Sequence, residues 1–163
     1  MLVRKKRIEI KKGIIGVISD THGLVRPEAL TALKGVELII HGGDIGKPEV
    51  LQSLCSIAPV YAIRGNNDRD IWAQKLPDIL ELQVNGIKHY MIHNVNELGI
   101  DLNAAGIRAV ISGHSHKPSI VQRDDVLFVN PGSAGPRRFK LPVTIARLEI
   151  HRGSLRSEIL DLL

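Results

Sequence analysis

Gly13-Ile14-Ile15-Gly16-Val17-Ile18-Ser19-Asp20-Thr21-His22 is the stretch whose reading decides the fold. Its apolar, β-branched run is what a strand covered on both faces requires. It stops at polar residues, as the carboxyl end of a buried strand does where it opens a site. Arg26 to Leu30 then starts a helix, with Pro27 suited to its first turn. Glu37 to His41 is a second strand, Pro48 to Leu54 a second helix and Pro59 to Ile63 a third strand. Strands alternating with helices in this way imply parallel pairing.

The second half changes character. Ile79 to Val84 and Ile87 to Ile92 flank Asn85-Gly86, a strong signal for a two-residue hairpin. The pattern predicts a helix over Asn96 to Ala105, weakened by Gly99 and stopped at Gly106. Short strands follow at 109–111, 119–122, 126–129, 143–150 and 155–160, with turns at Asp124-Asp125 and Arg152-Gly153. The expectation is an α/β fold, a four-layer αββα sandwich of two mixed β-sheets flanked by helices. One domain spans residues 1–163, with residues 1–12 as a basic N-terminal extension.

Composition narrows the function classes. The chain has 163 residues, 44% of them hydrophobic and 24% charged, which suits a packed domain. The formal charge of +5 invites a nucleic-acid reading, but Arg4, Lys5, Lys6, Arg7, Lys11 and Lys12 face only Glu9 in that segment, so the excess sits there and the remainder is balanced. That segment is expected to be a frayed or edge-strand extension, dispensable for the chemistry. Only 3% of residues are aromatic, a poor supply for stacking successive bases. No apolar run reaches the roughly 20 residues of a membrane span, and no signal-peptide pattern follows the basic start. The lone Cys55 allows no internal disulfide, which suits a cytoplasmic protein, and its apolar surroundings suggest a buried, inert thiol.

The chemistry lies just after the strands. Asp20-Thr21-His22 follows the first, Gly43-Asp44 the second, Gly65-Asn66-Asn67-Asp68 the third, His93 the hairpin, and Gly113-His114-Ser115-His116 the strand after the central helix. Ligands bind at the carboxyl ends of strands in open α/β sheets, so five loops can converge on one crevice. Asp20, His22, Asp44, Asn66, His93, His114 and His116 offer carboxylate, imidazole and amide donors that suit Mn²⁺, Fe²⁺, Zn²⁺ or Ni²⁺. Seven donors exceed one ion's needs and fit two ions sharing a bridge.

At this point the sequence resembles the calcineurin-like metallophosphoesterases, and among them the small bacterial and archaeal phosphodiesterases. The family pattern D-x-H, G-D, G-N-x-D, a single His and G-H-x-H is met in order between Ile14 and about Phe139. The resemblance implies that Asp20, His22, Asp44 and His116 hold a first metal, that Asp44 bridges, and that Asn66, His93 and His114 complete a second. It implies two divalent ions, Mn²⁺ first among the candidates, with Ni²⁺, Fe²⁺ or Zn²⁺ as alternatives. Two cations about 3.5 to 4 Å apart lower the pKa of a shared water and bind phosphate oxygens, so that hydroxide attacks phosphorus in line with the leaving alkoxide.

The resemblance also implies roles beyond the ligands. Asn66 and Asp68 count as the catalytic pair, Asn66 lying near the phosphate and Asp68 ordering the loop through hydrogen bonds. Asn67 stands where many members carry a proton-donating His, so it is expected to touch substrate without supplying a proton. Asn94 replaces a usual Gly and is expected to alter substrate access. Asn130-Pro131-Gly132-Ser133 resembles the family's N-P-G-S turn, after which Arg137 could present a guanidinium to the phosphate. His41 is a candidate supporting partner, while His89 and His151 read as surface residues. The expected substrate is a small phosphoester, with a homo-oligomer possible and no membrane partner. Two other classes stay open: a protein-binding scaffold, since a retromer subunit resembles this fold, and a nuclease using the basic N-terminus.

Overall fold

A computed structural model describes all 163 residues. Two mixed sheets pack face to face. The first has the order β1-β5-β6-β7-β9-β8, built from β1 (Val3–Ile8), β5 (Ile79–Val84), β6 (Ile87–Ile92), β7 (Ile107–Ile111), β8 (Ser119–Arg123) and β9 (Val126–Asn130). The second has the order β11-β10-β2-β3-β4, built from β2 (Ile14–Ile18), β3 (Leu38–His41), β4 (Val60–Ala62), β10 (Thr144–His151) and β11 (Ser154–Asp161). β2, β3 and β4 are parallel as their helical connections demand, and the C-terminal hairpin returns to pair antiparallel with β2. No helix is long and apolar enough to cross a membrane.

Alternation along the strands explains the layers. Ile15 and Val17 of β2 point between the sheets, where they meet Leu82, Met91 and Ile111 of the facing sheet. Ile18 points the other way, onto Ala29 of α1 (Pro27–Ala32), the following Leu33, and Val50 and Leu54 of α2 (Pro48–Cys55). Gly16 lets the Leu33 side chain lie close against the strand, and a Cβ there would push it aside. On the far side of the first sheet, Tyr90, Ile92 and Val110 are covered by Val95, Leu98 and Leu102.

That outer layer is thinner than the sequence suggests. The predicted helix over Asn96 to Ala105 is instead a 3₁₀ turn (Val95–Glu97) and a single turn, α3 (Leu102–Ala105). Gly99 interrupts the first, and the Asp101 carboxylate restarts a helix by accepting from the Ala104 amide at 3.1 Å. Two further expectations are corrected. His89 is fully buried, because it shares a β6 face with Ile87 and Met91 between the sheets. Cys55 is exposed, because α2 turns Val50 and Leu54 inward and leaves Cys55 on the solvent side. Within the basic N-terminal segment, Val3–Ile8 is an edge strand paired parallel with β5, with Lys5 ion-paired to Glu81 at 3.3 Å, and the Lys11 and Lys12 amides beyond it donate to the Glu37 carboxylate. Charge on such an edge discourages pairing with other chains.

Candidate metal centre

The five motif loops meet at one end of the sandwich, where backbone bonds join the ends of neighbouring strands in each sheet. The Asp20 amide donates to Gly43 O at 3.0 Å, the His22 amide to Asp44 O at 3.0 Å, and the Gly113 amide to His93 O at 2.9 Å. Asp20, His22, Asp44, His114 and His116 all hold φ between 46° and 72°. Residues with a Cβ rarely adopt this left-handed conformation, and their clustering marks a site held by its surroundings. Gly65 and Gly113 let the loops close: a Cβ at either would overlap the carboxylate of Asp44 or Asp20.

The side chains form two groups that share Asp20. Its Oδ1 lies 3.4 Å from His116 Nε2 and 3.9 Å from both His22 Nε2 and His93 Nε2. Asp44 Oδ2 lies 3.3 Å from His93 Nε2 and 3.9 Å from His22 Nε2. Asp20, His22 and His116 can therefore offer one ligand atom each to one cation, and Asp20, Asp44 and His93 to another. Asp20 spans both groups, and Asp44, the residue expected to bridge, also faces a histidine of each. Asn66 Oδ1 and His114 Nδ1 face each other at 3.2 Å, and the His114 ring stands edge-on to His93. All seven expected ligands are thus brought to one place.

Asp20 Oδ1 and His93 Nε2 are buried with no hydrogen-bond partner. Buried polar atoms are nearly always paired, so this pair of orphans, one anionic, fits a cation between them. The donor set contains no thiolate, which suits a borderline divalent metal. The tautomer also fits: His93 Nδ1–H donates to Gly42 O at 2.7 Å, leaving the Nε2 lone pair free.

The electrostatics follow from burial and close charges. Burial pushes the Asp20 carboxyl above its ordinary value, against the pull of His93, Ser19 and His116. Burial acts the same way on Asp44, but His93 and the Asn67 amides outweigh it and hold that carboxyl well below the usual range. Burial disfavours protonated His93, yet Asp44 and Asp20 raise its pKa overall. Burial lowers that of His116, helped by the Arg138 charge. Two buried carboxylates thus stand close together among imidazoles, an excess of negative charge that divalent cations would offset.

A supporting layer holds these groups, and most of it escapes sequence reading. Ser19 Oγ donates to Asp20 Oδ2 at 2.7 Å, and Ser133 Oγ donates to Asp20 O at 3.0 Å. Asn130 Nδ2 donates to Gly113 O at 2.9 Å, tying the Asn130-Pro131-Gly132-Ser133 turn to the His114 loop. His41 is buried and neutral, its pKa pushed down to about 3 by desolvation. It accepts from the Gly43 amide at 3.1 Å and donates to Thr21 Oγ1 at 3.0 Å, joining the loops of Asp20 and Asp44. The sequence marks Asn130 and Ser133 by their turn and His41 by its place before Gly43-Asp44, while Ser19 carries no signal of its own.

The remaining expected site residues are placed as follows. Asp68 lies under the loop, accepting from the amides of Gly65 at 2.9 Å, Ile45 at 3.0 Å and Gly46 at 3.1 Å. It orders the loop and does not face the cavity's donors. Asn67 Nδ2 donates to Asp44 Oδ2 at 3.0 Å, and its backbone amide to Asp44 Oδ1 at 3.0 Å. Arg137 is engaged in its own loop, donating to Leu141 O at 3.1 Å, while the neighbouring Arg138 is the arginine whose charge reaches His116.

Residues 14–153 match the calcineurin-like phosphoesterase superfamily domain. The chain belongs to that superfamily. A probable metallophosphoesterase of Methanothermobacter thermautotrophicus is 35% identical over 90% of this chain and 91% of its own. Among solved structures, an archaeal phosphodiesterase superposes with a TM-score of 0.75 at 26% identity, covering 90% of this chain and 99% of that one. Vps29 of Entamoeba histolytica, solved with zinc, shares the fold with a TM-score of 0.70 at 22% identity over 92% of this chain and 99% of its own. The superfamily member described here is a metal-dependent phosphoesterase, and its donors fit the divalent metal such an enzyme needs.

Proposed function

We propose that this superfamily member is a phosphodiesterase that works with two divalent cations, Mn²⁺ foremost, with Ni²⁺, Fe²⁺ or Zn²⁺ as alternatives. The observation that carries the reading is the pair of ligand groups sharing Asp20, with Asp20 Oδ1 and His93 Nε2 buried and unpaired between them. Asp20, His22 and His116 would hold one cation, Asp44 and His93 with Asn66 and His114 the other, and the two carboxylates would face both. When bound, such a pair supplies Lewis acidity toward phosphate oxygens and lowers the pKa of the attacking water.

The chain's own residues do the rest. His93 is aimed by Gly42 O and Asp44 by Asn67, so the donors are set before substrate arrives. Asn66 and His114 are exposed at the mouth, where an amide N–H and an imidazole can meet non-bridging phosphate oxygens. Asn67 has its amide on Asp44 and Asp68 has its oxygens on backbone amides, so neither delivers a proton to the leaving oxygen. That limits the reading to esters whose leaving group departs without a side-chain acid at position 67.

Hydrolysis of bis-p-nitrophenyl phosphate by the Mn²⁺-loaded protein tests this, with p-nitrophenyl phosphate as the monoester comparison. Faster turnover of the diester, lost in Asp44→Asn, supports it. A wild type inert with all four metals but able to bind a protein partner would establish the scaffold reading, which the shared Vps29 fold keeps in view.

A further inference from the structure

Beside the candidate metal centre lies an open cleft of about 830 Å³, within the usual range of small-molecule sites. Ser115 and His116 form one wall, and Lys117, Arg138, Phe139, Lys140 and Leu141 form the rest. Three of these are cations and none is an acid, in a chain whose formal charges beyond residue 12 sum to zero. Phe139 is 95% exposed. It also holds a φ of 53°, a conformation that bulky side chains avoid. The turn carrying it is closed by the Leu141 amide on Arg138 O at 3.0 Å and by Arg137 Nε on Leu141 O at 3.1 Å. Packing gives no reason for an aromatic ring there, because the ring packs on nothing, and a glycine would take the backbone conformation without strain.

On the opposite side of the centre the charges differ. There Arg64 is engaged by Asp78 at 2.8 Å, and Glu97 lines the wall with Asn94. An anionic arm of a substrate is therefore drawn toward Lys117, Arg138 and Lys140. An exposed aromatic face among cations is the chemistry that receives a base attached to phosphate.

We propose that this cleft binds one ester arm of the substrate and that the arm is a nucleoside phosphate, its base stacked on Phe139 and its phosphate oxygens among Lys117, Arg138 and Lys140. The proposal rests on the phosphodiesterase reading for its catalytic meaning, and its binding part can be measured without turnover. In Phe139→Trp, adenosine monophosphate should quench the new indole emission, with Trp72 emission in wild type as the control and the divalent cation held constant. Ribose phosphate, which lacks the base, should not quench. Replacing Lys117 and Lys140 by Ala should raise the adenosine monophosphate concentration needed for half-maximal quenching. In the kinetic arm, Phe139→Ala should lower kcat/KM about tenfold for thymidine p-nitrophenyl phosphate, the scale of one stacked base, and by much less for methyl p-nitrophenyl phosphate. Equal losses on the two esters, or quenching by ribose phosphate as strong as by the nucleotide, would overturn the stacked base. No effect of the lysine replacements would overturn the phosphate site. Quenching by the nucleotide in a protein that hydrolyses no diester would sink the phosphodiesterase reading and leave the cleft assignment standing.

Discussion

Asn67→Ala isolates what the chain does at the position where the family resemblance leads one to expect a proton-donating histidine. The Asn67 side chain gives Asp44 Oδ2 one hydrogen bond at 3.0 Å, while the backbone amide of the same residue bonds Oδ1 and survives the substitution. A hydrogen bond to an ionised group is worth about 1.5 to 3 kcal/mol. Asn67 is exposed, so solvent screening puts the loss at the lower end, about 1.5 kcal/mol or roughly tenfold in an equilibrium constant. The expected result is a Mn²⁺ dissociation constant raised about tenfold, with diesterase turnover restored by excess Mn²⁺, since no proton-transfer step depends on the amide. Calorimetric titration of metal-free protein reads the first and a p-nitrophenolate assay at rising Mn²⁺ the second. In an Asp44→Asn background the Asn67→Ala change should add little, because its partner charge is gone. A dissociation constant within twofold of wild type would refute the positioning role. A kcat loss that no Mn²⁺ concentration restores would point instead to direct contact with substrate.

Asp68→Ala leaves the buried amides of Gly65 and Ile45, and the half-buried amide of Gly46, without their acceptor, which at about 1 to 3 kcal/mol for each buried group should lower the melting temperature by about ten degrees, with Asp68→Asn intermediate; an Ala variant melting with wild type would count against it. Burial pushes His89 down to about 4, so the unfolded chain takes up the proton first as pH falls below about 6.5; its contribution is intact above that pH and is lost progressively toward pH 4, by about 3 kcal/mol in all. Denaturant titrations across this window should show a shallower slope in His89→Leu, and an unchanged slope would show that another group controls it. Deleting residues 1–8 leaves every candidate ligand in place but strips β5 of its parallel partner, so turnover per folded molecule should persist while the melting temperature drops and light scattering reports association; full retention of stability would mean that β1 contributes nothing to the sheet.

The alternating strands and the five polar strand ends were legible because each is a local pattern: a short apolar run followed by chelating residues. The same patterns placed Asp20, His22, Asp44, Asn66, His93, His114 and His116 in one neighbourhood. What escaped depends on residues distant in the chain or on the face an element presents. Ser133 supports Asp20 across 113 positions, and although the Asn130-to-Ser133 turn stands out in the sequence, nothing in it points to Asp20 as its partner. The burial of His89 was present in the alternation Ile87, His89, Met91, but a single polar residue reads as surface until the second sheet covers that face. Cys55 misleads in the opposite direction, because its apolar neighbours in sequence lie on the other side of α2. The Asn67 contact with Asp44 is the most consequential of these, since it gives a physical occupation to a residue that motif comparison marks only as a departure.

The left-handed backbone of the ligands allows one more test of how the centre is built. A turn of this shape is what glycine is usually used for, but glycine brings no donor atom, so the chain accepts strained aspartates and histidines where it needs both the turn and the ligand. His22, with φ at 46° and a half-buried side chain, is the cleanest position at which to separate the two requirements. His22→Ala and His22→Gly both remove the donor, so both should lose the cation held with Asp20 and His116. In metal-free protein they should differ. A Cβ in this conformation costs about 1 to 2 kcal/mol. Glycine's greater freedom in the unfolded chain costs about 0.4 to 1 kcal/mol in the other direction. The glycine variant should therefore be the more stable by about 1 kcal/mol, the reverse of the order at an ordinary loop position. Chemical denaturation with chelator present reads that difference. An alanine variant as stable as the glycine one would mean that the backbone at His22 relaxes once the side chain is removed, and that the strain lies in the ligand and not in the loop.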